Sequence, residues 1–104
     1  MKELSSNYED MVWEEAPGYP SGTKIKVLRE HSGAKTFLLK LPEGFDMEAH
    51  CHTAVTEQHF VLEGEYKSDG RAYSRGAYRL IPGGVTHGPF TSEDGAMILV
   101  IWGA

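Results

Sequence analysis

A chain of 104 residues suits one compact domain with one core and hardly two, so the architecture must be simple. Hydrophobic residues at 40% and charged residues at 24% are ordinary globular usage and exclude a disordered or fibrous chain. A net charge of -5 without any Lys/Arg cluster leaves no footprint for a phosphate backbone or an anionic membrane surface, so neither nucleic acid nor membrane is expected as a partner.

Residues 1–20 are rich in acidic residues and turn formers and are read as an N-terminal arm, with residues 21–104 as a barrel domain. The arm lacks the apolar segment of a secretory signal, and its acidic residues argue against a transit peptide. The single cysteine, Cys51, rules out an internal disulfide. A cytoplasmic location is the expectation. Beyond the arm, short stretches of β character alternate with Gly/Pro/Asp/Ser punctuation, the pattern of a sandwich or barrel, and helical periodicity is nowhere sustained. Strands are predicted over residues 24–28, 35–41, 48–52, 57–62, 64–67, 71–73, 77–81, 86–88 and 96–102. Ser68-Asp69-Gly70 reads as a hairpin turn, because Asp-Gly accepts the positive φ angles of tight hairpins. Pro42-Glu43-Gly44, Pro82-Gly83-Gly84 and Ser92-Glu93-Asp94-Gly95 are further breaks. The last strand, Ala96 to Trp102, is apolar on both faces, so its outer side needs a cover: a second sheet's edge, the arm, or another subunit. It is far shorter than the roughly 20 residues that cross a bilayer.

The chemistry concentrates in the middle of the chain. His50 and His52 stand at i, i+2 on a predicted strand, which sends both side chains to one face. Glu57 follows after the link of residues 53–56, short enough for a hairpin that returns a carboxylate to the same point. His87, after the Pro82-Gly83-Gly84 turn, can add a third imidazole from a neighbouring strand. Imidazoles with one carboxylate suit iron, manganese, nickel or zinc and do not suit calcium or magnesium, which prefer oxygen shells. The expectation is one divalent transition metal per chain, with coordination positions left for a substrate.

These residues bring a family into view. Gly44, five residues, His50-x-His52, four residues, Glu57, six residues and Gly64 resemble the first signature motif of the cupin superfamily without departure. Gly76, five residues, Pro82-x-Gly84, two residues, His87, three residues and Thr91 resemble the second, except that Thr91 stands where Asn is usual. That Asn is not a metal ligand, so the ligand set His50, His52, Glu57 and His87 stands. The resemblance implies an all-β, double-stranded β-helix (jelly-roll) cupin barrel. Trp13 with Pro17-Gly18, Lys26-Val27-Leu28, Val61 to Tyr66, Gly76 to Arg79 and Pro82 to His87 together look like the ChrR-type cupin domains, a likeness covering roughly residues 12 to 102. That group stands near the acetylacetone dioxygenases, which use three histidines without the glutamate, so Glu57 counts against their particular chemistry. The separate helical zinc domain of a ChrR anti-sigma factor has no room in this chain, and the anti-sigma role is not carried over.

Other residues have two readings each. His59 shares the inward face of Glu57 and is either a hydrogen-bonding or acid/base group beside the metal or a barrel histidine satisfied by a neighbour. Arg79 and Tyr78 either meet an anionic or enolic substrate at the barrel mouth or are ordinary strand residues. Cys51 points away from the ligands by alternation, and His31 reads as a turn residue. The function expected is that of a metal-dependent, dioxygenase-like enzyme acting on a small organic molecule. The alternatives are a non-catalytic cupin module that binds or senses a metal or small molecule, and a metal-independent isomerase. Phe60 and Leu62, opposite Glu57, together with the apolar last strand predict a homodimer.

Overall fold

The computed structural model describes residues 2–51 and 55–103, with His50 and Cys51 given by their backbone alone. A 3-10 turn at Tyr8–Asp10, capped where the Asn7 side chain accepts the Glu9 N–H at 2.9 Å, precedes the strands. These are β1 (Glu14–Glu15), β2 (Lys24–His31), β3 (Ala34–Leu41), β4 (Phe45–Met47), β5 (His50–Cys51), β6 (Thr56–Ser68), β7 (Arg71–Ser74), β8 (Tyr78–Ile81), β9 (Thr86–His87), β10 (Phe90–Ser92) and β11 (Ala96–Gly103). The protein is all-β, and its sheet curls into the expected jelly-roll barrel. One sheet runs β1-β2-β3-β11-β6-β10-β4, with β7 and β8 also paired to β6, and β5 and β9 form a separate two-stranded ribbon.

Strand β6 is the hub. Its first half pairs with β11 and β8 and its second half with β7 and β10, all antiparallel. The sequence predicts two strands here, divided at Glu63; the structure has one. The register skips Leu62, with Ile98 facing Val61 and Met97 facing Glu63, and Gly64, at φ 74°, follows this bulge without turning the chain. A Cβ on Gly64 would lie 2.3 Å from the Gly95 carbonyl oxygen, so only glycine allows the approach. The extra residue reverses the alternation: Glu57, His59 and Val61 point inward before the bulge, Tyr66 and Ser68 after it.

Two other predicted boundaries move. The strand expected over residues 48–52 is the shorter β5, preceded by an unpredicted β4, and β5 pairs with β9 instead of returning as a hairpin with β6. Strand β10 was not predicted, because its inward positions are Phe90 and a serine, and Ser92 is tolerated there by donating to the Glu65 carbonyl at 2.6 Å. The hairpin at Asp69-Gly70 is as predicted, with φ of 52° and 76°, and Ser32-Gly33 makes a second of the same kind.

Phe37, Leu39 and Leu41 of β3, Ile98 and Val100 of β11 and Val61 of β6 line the inner face of three adjacent strands. Each such side chain contributes about 1.5–3 kcal/mol on burial, which closes the barrel without a disulfide. Residues before β2 share in the packing: Ala16 is in the core and Tyr19 packs against it. On the outer face, Lys26 of β2 points away from the core, donates to the Tyr8 carbonyl at 2.8 Å and lies 4.5 Å from the Trp13 ring centroid. Trp13 and Tyr8 share a recess with Met97, so the N-terminal segment lies beside the outward side chains of β11.

Candidate functional site

Glu57 and His87 are both buried, on β6 and β9. The His87 Nδ1–H donates to the Val85 carbonyl at 3.1 Å, which fixes the tautomer and turns Nε2 toward the interior. There Nε2 stands 4.0 Å from Glu57 Oε2, beyond a hydrogen bond. His50 is the Cα partner of His87 across the β5–β9 ribbon, so the two backbones are in register. His52 lies outside the described residues, as does the His50 side chain. Among the described residues, no group of three His, Cys, Asp or Glu side chains converges on a point.

His59 is buried two residues from Glu57 and satisfied at both nitrogens. Its Nε2–H donates to Glu57 Oε2, and its Nδ1 accepts the Tyr66 hydroxyl at 2.6 Å. It is therefore both satisfied by neighbours and bonded to a candidate ligand, so the two readings of His59 coincide. Arg79 is opposite His59 in register and points inward. Its side chain is only 12% exposed and pairs with Asp69 at 2.6 Å, with the guanidinium carbon 4.8 Å from the Tyr73 ring centroid. Tyr78, one residue earlier, lies on the outer face, where its hydroxyl donates to Gln58 Oε1 at 2.6 Å, and it is not brought to Glu57. Thr91 of β10 is exposed.

Three residues of this region escape the sequence reading. Tyr66 is one of the most buried side chains in the protein, but strict alternation from Glu57 sends it outward, and only the bulge at Leu62 brings it in. Burial pushes its hydroxyl pKa up to about 12, partly offset by the Arg79 guanidinium nearby. Asp69 is a turn residue by sequence, yet its Oδ2 accepts from Arg79, from Ser68 Oγ at 3.0 Å and from the Gly88 N–H at 3.3 Å. Burial acts to raise the Asp69 pKa, but these bonds outweigh it and hold the carboxyl below its ordinary value. For Arg79, burial acts to lower the pKa, and the Tyr66 hydroxyl nearby and the bond to Asp69 reverse this. Tyr19, the third, is raised well above an ordinary tyrosine by burial and then by the Glu57 charge, so it stays a hydroxyl donor at neutral pH.

The barrel interior beneath Glu57 is small. A cavity of about 30 Å³, lined by Tyr19, Met47, Glu57, His59, Phe90 and Ile98 among others, has room for about one water. Tyr19 and Met47 also line a recess of about 550 Å³ on the outside, with Glu48, Ala49 and Trp102. These two side chains stand between the recess and the interior.

The full chain, residues 1–104, matches the ChrR cupin-like domain family. The protein belongs to that family. No curated protein matches it. Among solved structures, this cupin is similar to a chain in the complex of Rhodobacter sphaeroides SigE with the anti-sigma ChrR, at TM-score 0.73 and 22% identity, over 91% of this chain and 51% of that one. It thus spans about half the length of that relative. It is also similar to KdgF from Halomonas sp. (TM-score 0.79, 18% identity, 98% of this chain and 93% of that one). A candidate acetylacetone dioxygenase from Methylibium petroleiphilum PM1 superposes with a TM-score of 0.86 at 18% identity, over 98% of the cupin and 77% of that chain. At these identities the likeness is one of fold. No helix among the described residues is long and apolar enough to cross a membrane.

Proposed function

We propose that this cupin is a metal-dependent enzyme for a small organic molecule, holding one divalent transition ion through His50, His52, Glu57 and His87. The observation that carries the reading is the pair Glu57 and His87: both buried, Nε2 and Oε2 4.0 Å apart, and the imidazole fixed by Val85 in the tautomer that a metal ligand needs. An imidazole and a carboxylate facing each other inside an apolar barrel fit iron, manganese, nickel or zinc. When bound, such an ion supplies Lewis acidity toward a carbonyl, enolate or carboxylate oxygen. The chain's own residues do the rest. His59 holds one oxygen of Glu57, the apolar wall of Leu39, Ile98, Val100 and Phe90 excludes water, and Tyr19 offers a proton-bearing hydroxyl between the outer recess and the interior. A substrate larger than water binds in the outer recess and reaches toward Glu57 past Tyr19 and Met47.

Elemental analysis of protein purified without added metal tests the ion: about one transition metal per chain is expected, with most of it lost in His87→Ala and Glu57→Gln. A metal-free wild type would overturn the reading. Oxygen uptake or substrate loss across diketones, thiols and hydroxy-ketones, with iron-, manganese- or nickel-loaded protein, tests catalysis. The small interior cavity favours a second reading, a non-catalytic module in which the metal anchors a ligand; tight metal with no turnover on any of these substrates is its signature. A homodimer belongs to the same proposal, formed over the outer face where Phe60, Tyr78 and Leu80 are exposed.

A further inference from the structure

The inward polar residues behind Glu57 form two hydrogen-bonded segments joined by the Tyr73 ring, each with a consistent direction of donation. Arg79 donates to Asp69 Oδ2 and lies over the Tyr73 ring, which stacks on Tyr66, whose O–H donates to His59 Nδ1 at 2.6 Å, and His59 Nε2–H donates to Glu57 Oε2. No donor faces a donor, so a neutral imidazole carrying its hydrogen on Nε2 fits every bond at once. The same Asp69 oxygen accepts the Gly88 N–H at 3.3 Å, next in sequence to His87. The two segments together therefore run from the loop carrying one candidate ligand to the carboxylate of the other. Tyr66 packs within 5.8 Å of the Phe90 ring centroid and 5.1 Å of Tyr73, and Arg79 lies over Tyr73, so rings on several strands hold the links in place.

We propose that Asp69, Arg79, Tyr66 and His59 form a brace that positions Glu57 and His87 together for a divalent metal, so that the tightness of the site is set from the β6–β7 turn. The inference rests on the metal reading above. All four are positioning residues: none is a ligand, and each acts through the next. In a barrel with a cavity of only about 30 Å³, a carboxylate held at one oxygen has little freedom to swing, and removing its holder costs metal affinity before it costs fold. Losing the partner of a metal ligand typically weakens binding 10–100-fold.

The test is Co²⁺ binding to the full chain by competition with a chromophoric chelator, with the visible Co²⁺ spectrum recorded alongside the melting temperature of metal-free protein. Tyr66→Phe removes one hydroxyl and keeps the ring, and is expected to weaken Co²⁺ about 10–100-fold and to shift the ligand-field bands. Asp69→Asn, on the exposed turn, is expected to weaken binding in the same direction where Tyr66→Phe proves too unstable to titrate. Arg71→Gln, on β7 and outside both segments, should leave affinity and spectrum unchanged. Wild-type affinity and spectrum in both Tyr66→Phe and Asp69→Asn would overturn the brace and leave the metal reading intact. Failure of the wild type to bind Co²⁺ at all would overturn both.

Discussion

Gly64 shows how much one residue carries. Its positive φ and the 2.3 Å separation between a notional Cβ and the Gly95 oxygen leave no room for Gly64→Ala. The substitution should cost at least about 1–3 kcal/mol in backbone strain alone, read as a lower urea midpoint. Tyr66 gives a pH signature. Its folded pKa of about 12 lies above the value near 10 of the unfolded chain, so its contribution is full below pH 10 and is lost as pH rises toward 12. Stability should therefore fall between pH 10 and 12, and less steeply in Tyr66→Phe. Glu57, His59 and His87 were legible as inward or convergent because spacing and motif name them. Tyr66 and Asp69 were not, since the first depends on a bulge that no alternation rule anticipates and the second on a turn whose side chain reaches across to another loop.

Among the elements, the outer face of β2 and the N-terminal segment are tied by Lys26, which is buried for a lysine because the Tyr8 carbonyl accepts its hydrogen bond and Trp13 and Tyr8 present ring faces. A cation over an aromatic ring is worth about 0.5–1 kcal/mol at an exposed site and more when desolvated. Trp13→Ala should lower stability by at least that much and expose the segment before β2 to limited proteolysis, with cleavage products identified by mass. Hairpin turns were the most readable elements, as Asp69-Gly70 illustrates, because turn chemistry is local. The partner of β5 was the least readable: its pairing with β9 joins segments some 36 residues apart, and only the barrel's closure decides it.

At the scale of the whole molecule, β8 is hydrogen-bonded only to β6 among the described strands, and the outer face there exposes Phe60 at 42%, Tyr78 at 55% and Leu80 at 52%. Scattered apolar residues are ordinary on a monomer, but these three are register neighbours: Phe60 faces Tyr78, and Leu80 lies beside it opposite Gln58. Light scattering at micromolar concentration should give twice the chain mass for wild type and the single mass for Leu80→Glu, with unchanged circular dichroism. A wild-type monomer would remove the dimer from the proposal.

The bulge in β6 also sets which side chains reach the interior. Because the inward positions are odd-numbered before it and even-numbered after it, the strand is read in two frames joined at a single extra residue. Straightening the bulge while keeping every residue would run the first frame through the whole strand. Tyr66 and Ser68 then turn to solvent while Glu65 and Lys67 are driven into the barrel, where an unpaired charge is far costlier than any side-chain exchange. By contrast, an insertion at the exposed Ser32-Gly33 turn moves no inward side chain. The inner face of β6 thus depends on one irregular step as much as on the side chains it carries.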